Sequence, residues 1–431
     1  MLRRMIVIVA IFIALSAGWF VLGGSVLHRT WNADGRLKHE VAALWGDRQE
    51  QVSPELAFRW VKKVTDTETI EDPETKKKSF VTKEREVWTT ESQILDGSKI
   101  TVDLALDQRK KGLLWYATYG VDFAGNYTYV HDDAREGFVD VTWRFPTTSA
   151  IYDRFRFEVN GVMDPSIVPQ DGDGAKVVRV SVPVREGTRV PFTIAYASRG
   201  LEEWRYSFGK DVNRVKNFDL TLTTDFRTID YPAGTISPQS VEPAGEGFKL
   251  RWASENLISG FAIGMEMPHR INPGPLAAEM TFFAPVSLFF FFVWMFVITL
   301  MKEIELHPMN YLFLGAAFFA FHLLFAYSVD HIDLVPAFLI ASAVSVALVV
   351  SYLRLVVGLR FAAVEAGVSQ VVYLVFFSWA HFVEGFTGLI VTIGGILTLF
   401  ALMQLTGRIR WSEVETSWGR YTPGSPDAHL P

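Results

Sequence analysis

The 431-residue chain has no cysteine. That removes disulfides, thiolate catalysis, Cys-type zinc sites and iron–sulfur clusters. Charge is scarce in one part of the chain only. Residues 30–279 hold 70 Asp, Glu, Lys and Arg, whereas residues 280–405 hold 9. The mean hydropathy of +0.19, with 20% charged residues, is too high for a chain that lives wholly in water. Two solvents are therefore implied, water for the middle of the chain and lipid for its end. A net charge of −6, without a basic face, argues against nucleic acid as a partner. His-Glu-x-x-His, Gly-x-Ser-x-Gly and Gly-x4-Gly-Lys-Ser/Thr are all missing. The sequence thus points away from the common hydrolases and nucleotide-binding enzymes, and it calls for no cofactor and no metal.

What is present begins with an uncharged run from Met5 to Leu27, preceded by Arg3 and Arg4. It is long enough to cross a bilayer, and the basic flank places its start in the cytoplasm. We read residues 1–29 as a signal anchor; a cleaved signal peptide is the rival reading. Ala10, Ala14 and Gly18 form a small-residue stripe suited to close helix packing. Residues 280–405 break into five further spans, at Met280–Met301, Tyr311–Val329, Leu334–Leu353, 361–381 and 385–405. The inner loops then carry Lys302, Arg354, Arg360, Arg408 and Arg410. The outer loops carry Asp330, His331, Asp333, His381 and Glu384, with neither Lys nor Arg. This asymmetry satisfies the positive-inside rule, leaves both termini cytoplasmic and sends residues 30–279 outward. The tail 406–431, with Pro423, Gly424, Ser425 and Pro426, reads as disordered.

In the outward part, residues 34–46 are expected to form a short helix ending at Gly46. Period-two alternation follows, for example Ile100, Val102, Leu104 and Leu106, then Val139, Val141, Trp143 and Phe145, then Phe218, Leu220 and Leu222. Asn160-Gly161 and Asp171-Gly172-Asp173-Gly174 mark hairpin turns. Closely spaced strands without helices predict a large antiparallel β-sandwich-like domain, as one sandwich or two. Residues 66–86, rich in both charge signs around Asp72-Pro73, read as a solvated hairpin tip.

Several segments together resemble the CreD-like family of bacterial inner-membrane proteins. They are Leu44-Trp45-Gly46, the run Leu106-Asp107-Gln108-Arg109-Lys110-Lys111-Gly112-Leu113-Leu114-Trp115-Tyr116, and Val121-Asp122-Phe123-Ala124-Gly125. Farther on come His307-Pro308-Met309-Asn310-Tyr311-Leu312, Ser328-Val329-Asp330-His331-Ile332 and Thr406-Gly407-Arg408-Ile409-Arg410-Trp411. The resemblance implies an envelope-integrity protein of the inner membrane, linked to colicin tolerance and to a stress response that includes β-lactam exposure. It implies no catalytic residues.

Polar groups in or beside the spans are the remaining candidates, because lipid makes them costly. His322 lies midway along its helix, and Glu365 and Gln370 lie near the start of the fifth span. Asp330, His331, His381 and Glu384 share the outer rim. One reading is a proton or ligand path from rim to midplane. The plainer reading is that rim groups are simply wet, that Glu365 pairs with Arg360 and that His322 bonds across helices. Three functions follow from these features. The first is a binding or scaffold protein whose β domain contacts an envelope component or partner. The second is a small transporter or lipid-handling protein that uses the bundle residues. The third, an envelope hydrolase, has only scattered carboxylates behind it.

Overall fold

The computed structural model describes residues 2–71, 78–163, 167–172, 174–209, 213–383 and 385–407. Asp173, Glu384, the centre of the charged hairpin at 72–77 and the tail from Arg408 lie outside them. Contacts divide the chain into two compact units, with seams between Gly35 and Arg36 and between Arg270 and Ile271.

The first unit is helical. Its helices are α1 (Leu2–Trp45), of which the part from Arg36 onward belongs to the second unit, α2 (Pro273–Met301), α3 (Pro308–Ser328), α4 (Leu334–Val357), α5 (Phe361–Phe382) and α6 (Thr387–Thr406). Each is long and apolar enough to cross a membrane. The helix expected at 34–46 is the continuation of α1, which has no break before Trp45. Gly46 ends it as expected, with φ +94° and its N–H on the Ala42 carbonyl at 2.9 Å. The packing face of α1 differs from the expected stripe. Of the three, only Gly18 faces a neighbour, with Phe319 of α3 3.6 Å from where its Cβ would be; Ala10 and Ala14 are exposed, whereas Leu15, Trp19, Leu22 and Val26 meet the bundle core. Close approach is provided from the other side, by Gly315 on α3. A Cβ there would lie 2.2 Å from Leu15 Cδ1. Bulky side chains on α1 thus fill a gap left by a small residue on its neighbour.

Local chemistry sets the α3 start. His307 precedes the helix and accepts from the Met309 N–H at 3.2 Å through Nδ1, and Pro308 occupies the first turn, where its missing N–H costs nothing. Asn310 accepts a hydrogen bond from the Tyr352 hydroxyl at 2.7 Å, which ties α3 to α4. The fifth span is irregular. Phe361–Gly367 and Val371–Phe376 are π-helical, a widened winding that is rare at this length.

The second unit is β. Its strands are β1 (Gln49–Val52), β2 (Glu55–Glu71), β3 (Lys78–Gln93), β4 (Gly97–Lys111), β5 (Leu114–Val130), β6 (Gly137–Arg144), β7 (Asp153–Val159) and β8 (Val162–Met163), followed by β9 (Gln170–Asp171), β10 (Lys176–Val184), β11 (Arg189–Leu201), β12 (Glu203–Ser207), β13 (Asn213–Thr224), β14 (Ser240–Ala244), β15 (Gly247–Ser259) and β16 (Ile263–Glu266). They form an eight-stranded sheet in the order β14-β15-β13-β4-β5-β11-β7-β8. The other two are a five-stranded sheet, β3-β2-β6-β10-β9, and a three-stranded one, β1-β12-β16. The expectation of purely antiparallel sheets needs correction. β4 runs parallel to β13, and β1 runs parallel to β12. Parallel neighbours are joined by long connections, so no local turn signal announces them.

The alternation read from the sequence is the burial pattern. Ile100, Val102, Leu104, Val139, Val141, Trp143, Phe218, Leu220 and Leu222 are all buried. Both larger sheets contribute to one core, where Phe123 of β5 lies 5.1 Å from the Tyr196 ring of β11 and 5.6 Å from Trp143 of β6. Asn160 and Gly161 take φ of 53° and 75°, the pair of left-handed residues that a tight hairpin demands. β2 and β3 pair along their whole length up to Glu71 opposite Lys78, as the hairpin reading of 66–86 requires.

Candidate functional site

In the helical unit the sequence candidates separate instead of converging. Asp330 forms an ion pair with Arg29 of α1 at 2.8 Å, beside the Tyr327 ring. Glu365 pairs with Lys302, at the end of α2, and not with Arg360. The carboxylate therefore bridges two spans that are far apart in sequence. His381 is not a wet rim group: it is 5% exposed, sits edge-on to Phe283 at 5.4 Å and bonds the Ser378 carbonyl through Nδ1 at 3.3 Å. The turn that carries it packs inward, so position near a helix end did not determine exposure. His331 is exposed. Glu384 lies outside the described residues.

His322 is 1% exposed. Its Nδ1 lies 3.0 Å from the Phe318 carbonyl on its own helix, so the expected bond across helices is not made. Its Nε2 and the neighbouring Trp19 Nε1 have no hydrogen-bond partner among the described residues, with the two rings 5.8 Å apart. A second buried polar group joins Gln370, a polar residue near the start of the fifth span, to Ser345, which the sequence did not single out. Ser345 Oγ donates to the Ala317 carbonyl at 2.6 Å and accepts from Gln370 Nε2 at 2.7 Å, linking α3, α4 and α5. A serine in an apolar run carries no signal of such a role until three helices are assembled.

The β unit contains a feature that sequence reasoning missed altogether. A trough of 660 Å³ lies on the face of the eight-stranded sheet turned away from its core. Strand register builds its floor. Asp103 on β4 is opposite Asp122 on β5, which is opposite Ala197 on β11, which is opposite Asp153 on β7. In the next row Ala105 is opposite Gly120, and Gly120 is opposite Arg199. Small residues in adjacent rows make the recess. One wall is the end of α1 with Leu44, Trp45 and Gly46; the other is the segment Ser149–Arg154. A smaller recess of 290 Å³ shares Asp103, Asp122, Arg154 and Ala197 with it and extends towards Arg156.

The walls are fixed in place. The Arg109 guanidinium lies 3.7 Å from the Trp45 ring centre, and that of Arg199 lies at 4.7 Å. A Cβ on Gly46 would come within 2.3 Å of the Arg199 carbonyl oxygen, so the turn after α1 tolerates only glycine. Glu202 anchors the same region through Lys38 of α1 at 2.6 Å and Arg48 at 2.7 Å. Burial pushes the Glu202 carboxyl up, but the hydrogen bonds from Lys38 and Arg48 outweigh it and hold the group below its ordinary value. Tyr152 bonds the Thr147 carbonyl and N–H at 2.8 and 2.9 Å, and burial raises its phenol above the usual range, so it remains protonated. Arg154 pairs with Asp122. The Asp103 side chain is exposed and has no hydrogen-bond or ion-pair partner among the described residues. Leu44-Trp45-Gly46, Arg109 and Val121-Asp122-Phe123-Ala124-Gly125, three segments that carry the family resemblance, meet at this trough.

Residues 215–412 match the family model described as inner membrane protein CreD. No curated protein matches the chain. Among solved structures, a Legionella pneumophila chain that carries a provisional description as a nutrient binding protein is similar at 10% identity and a TM-score of 0.31, over 46% of this chain and 74% of that one. A likeness that slight bears on neither fold nor function. The family match spans the end of the β unit and the five C-terminal helices, and it includes the His307–Leu312 and Ser328–Ile332 segments that carry the resemblance. Over residues 215–412, a little under half of its length, this chain is similar to the CreD family of inner membrane proteins.

Proposed function

We propose that this multi-pass membrane protein maintains the cell envelope as a binding or scaffold protein and not as an enzyme. In this reading the N- and C-termini are cytoplasmic, the β unit is periplasmic and its two larger sheets are the layers of a sandwich. An envelope component or a partner protein docks in the trough. The 660 Å³ recess floored by Asp103, Ala105, Gly120 and Asp122 carries the proposal. It is concave, it mixes apolar and charged walls, and rigid strands hold it, which is how binding sites are usually built.

The test is rescue of a deletion strain, scored by envelope permeability and by β-lactam and colicin sensitivity. A Cβ built on Gly120 meets nothing within 4 Å, so Gly120→Leu adds bulk to the trough from a backbone position that accepts a side chain. Gly120→Leu is expected to fail at normal protein level, while His322→Ala rescues. Full rescue by Gly120→Leu removes the proposal. Rescue by Gly120→Leu with failure of His322→Ala transfers the function to the bundle, where the transporter or lipid-handling reading keeps one supporting observation, the unpartnered His322 Nε2.

A further inference from the structure

We infer that the occupant of the trough is an extended segment of a partner polypeptide that places a basic side chain, flanked by apolar residues, over Asp103. The inference rests on the trough being the binding site. Its first ground is charge complementarity. Asp103, Asp122 and Asp153 lie in one register row, and Asp225 lines the same recess. Asp122 is neutralised by Arg154, and Arg199 lies over the Trp45 ring. Asp103 therefore faces another carboxylate across the ladder with no cation of its own. Asp122 has its own cation, so the uncompensated charge is that of Asp103, and a recess with protein walls concentrates its field. A cation that arrives there gains what the free chain lacks.

The second ground is the rim. Ile151 is 80% exposed and Leu44 is 64% exposed, one on each wall. Large apolar side chains held open beside a charged floor suit an occupant whose charge has apolar neighbours. Length is the third ground. The two recesses share four residues and together run from Asp225 to Arg156, across β4, β5 and β11. A bare metal ion would use neither the rim nor the length, and the described residues contain no group of three or more His, Asp or Glu placed to hold one. An extended peptide uses all three features, because its alternate side chains point the same way.

Binding of a labelled Val-Gly-Lys-Gly-Val peptide, whose valines share the face of the lysine when extended, to the full-length protein in detergent, read by fluorescence anisotropy, tests the inference. The same peptide with an acetylated lysine is the comparison. The lysine peptide is expected to bind about fivefold tighter than the acetylated one, the scale of a partly exposed ion pair. Asp103→Asn should abolish that difference, Gly120→Leu should remove binding of both peptides, and added salt should weaken only the lysine peptide. Equal affinity for the two peptides, no binding of the lysine peptide, or equally tight binding of free spermidine would each overturn it. The rescue assay separates this inference from the reading beneath it. If Asp103→Asn rescues while Gly120→Leu does not, the trough stands and the basic partner falls. If both rescue, both fall.

Discussion

Glu202 shows how much one residue can hold. It takes φ of 65°, in the left-handed region, and its backbone bonds Ala117 and Met267 while its carboxylate bonds Lys38 and Arg48. Its partners lie 164 and 154 positions away, so nothing local marks it in the sequence. Because its folded-state pKa is lowered, its contribution is present at neutral pH and fades as pH falls below the ordinary carboxylate value. Glu202→Gln should lower stability at pH 7 by about 1–2 kcal/mol, since charge-assisted bonds are lost from a half-buried group. The penalty should shrink at pH 4. Thermal unfolding of the full-length protein, followed by tryptophan fluorescence at the two pH values, checks both. A penalty that does not change with pH would show that the charge plays no part. By contrast, His322 and Glu365 were visible in the sequence because charge and polarity are rare in lipid, but their partners were not. Lys302 is 63 residues from Glu365 and sits on another helix.

At the scale of elements, hydrophobic runs and period-two alternation placed five helix spans and the main strands close to where they lie. A bilayer fixes helix length, and a half-buried sheet fixes alternation. Neither constraint says which neighbour an element has. The parallel β4–β13 and β1–β12 pairs, and the face by which α1 packs, both followed from contacts between distant segments. Gly315→Leu should therefore destabilise the bundle by about 1–3 kcal/mol, because the added bulk meets Leu15 in a filled space. Ala14→Leu, on the exposed face of α1, should leave stability unchanged. Melting temperatures in one detergent decide between the two faces, and the opposite order would restore the small-residue stripe as the packing surface. The polar link Ala317–Ser345–Gln370 is a smaller matter, since hydrogen bonds between membrane helices average only about 0.6 kcal/mol.

At the scale of the whole molecule, absence of cysteine becomes useful, because any introduced thiol is the only one. Glu186 and Glu305 are both exposed. With the β unit periplasmic, Glu186→Cys should react with a membrane-impermeant maleimide in spheroplasts, whereas Glu305→Cys should react only after lysis. The reverse pattern would invert the proposed orientation. The sequence by itself determined that this chain lives in two solvents, that six helices are apolar enough to cross a membrane and that a β-rich part lies among them. Those properties depend on composition and on period, both of which are local. Only the tertiary structure decided which residues share a surface. Asp103, Gly120, Ala197 and Trp45 come from four elements, and none is unusual where it stands in the chain. The trough exists because strand register aligns small and acidic residues in neighbouring rows, and register is set by pairing across the sheet and not by any one segment.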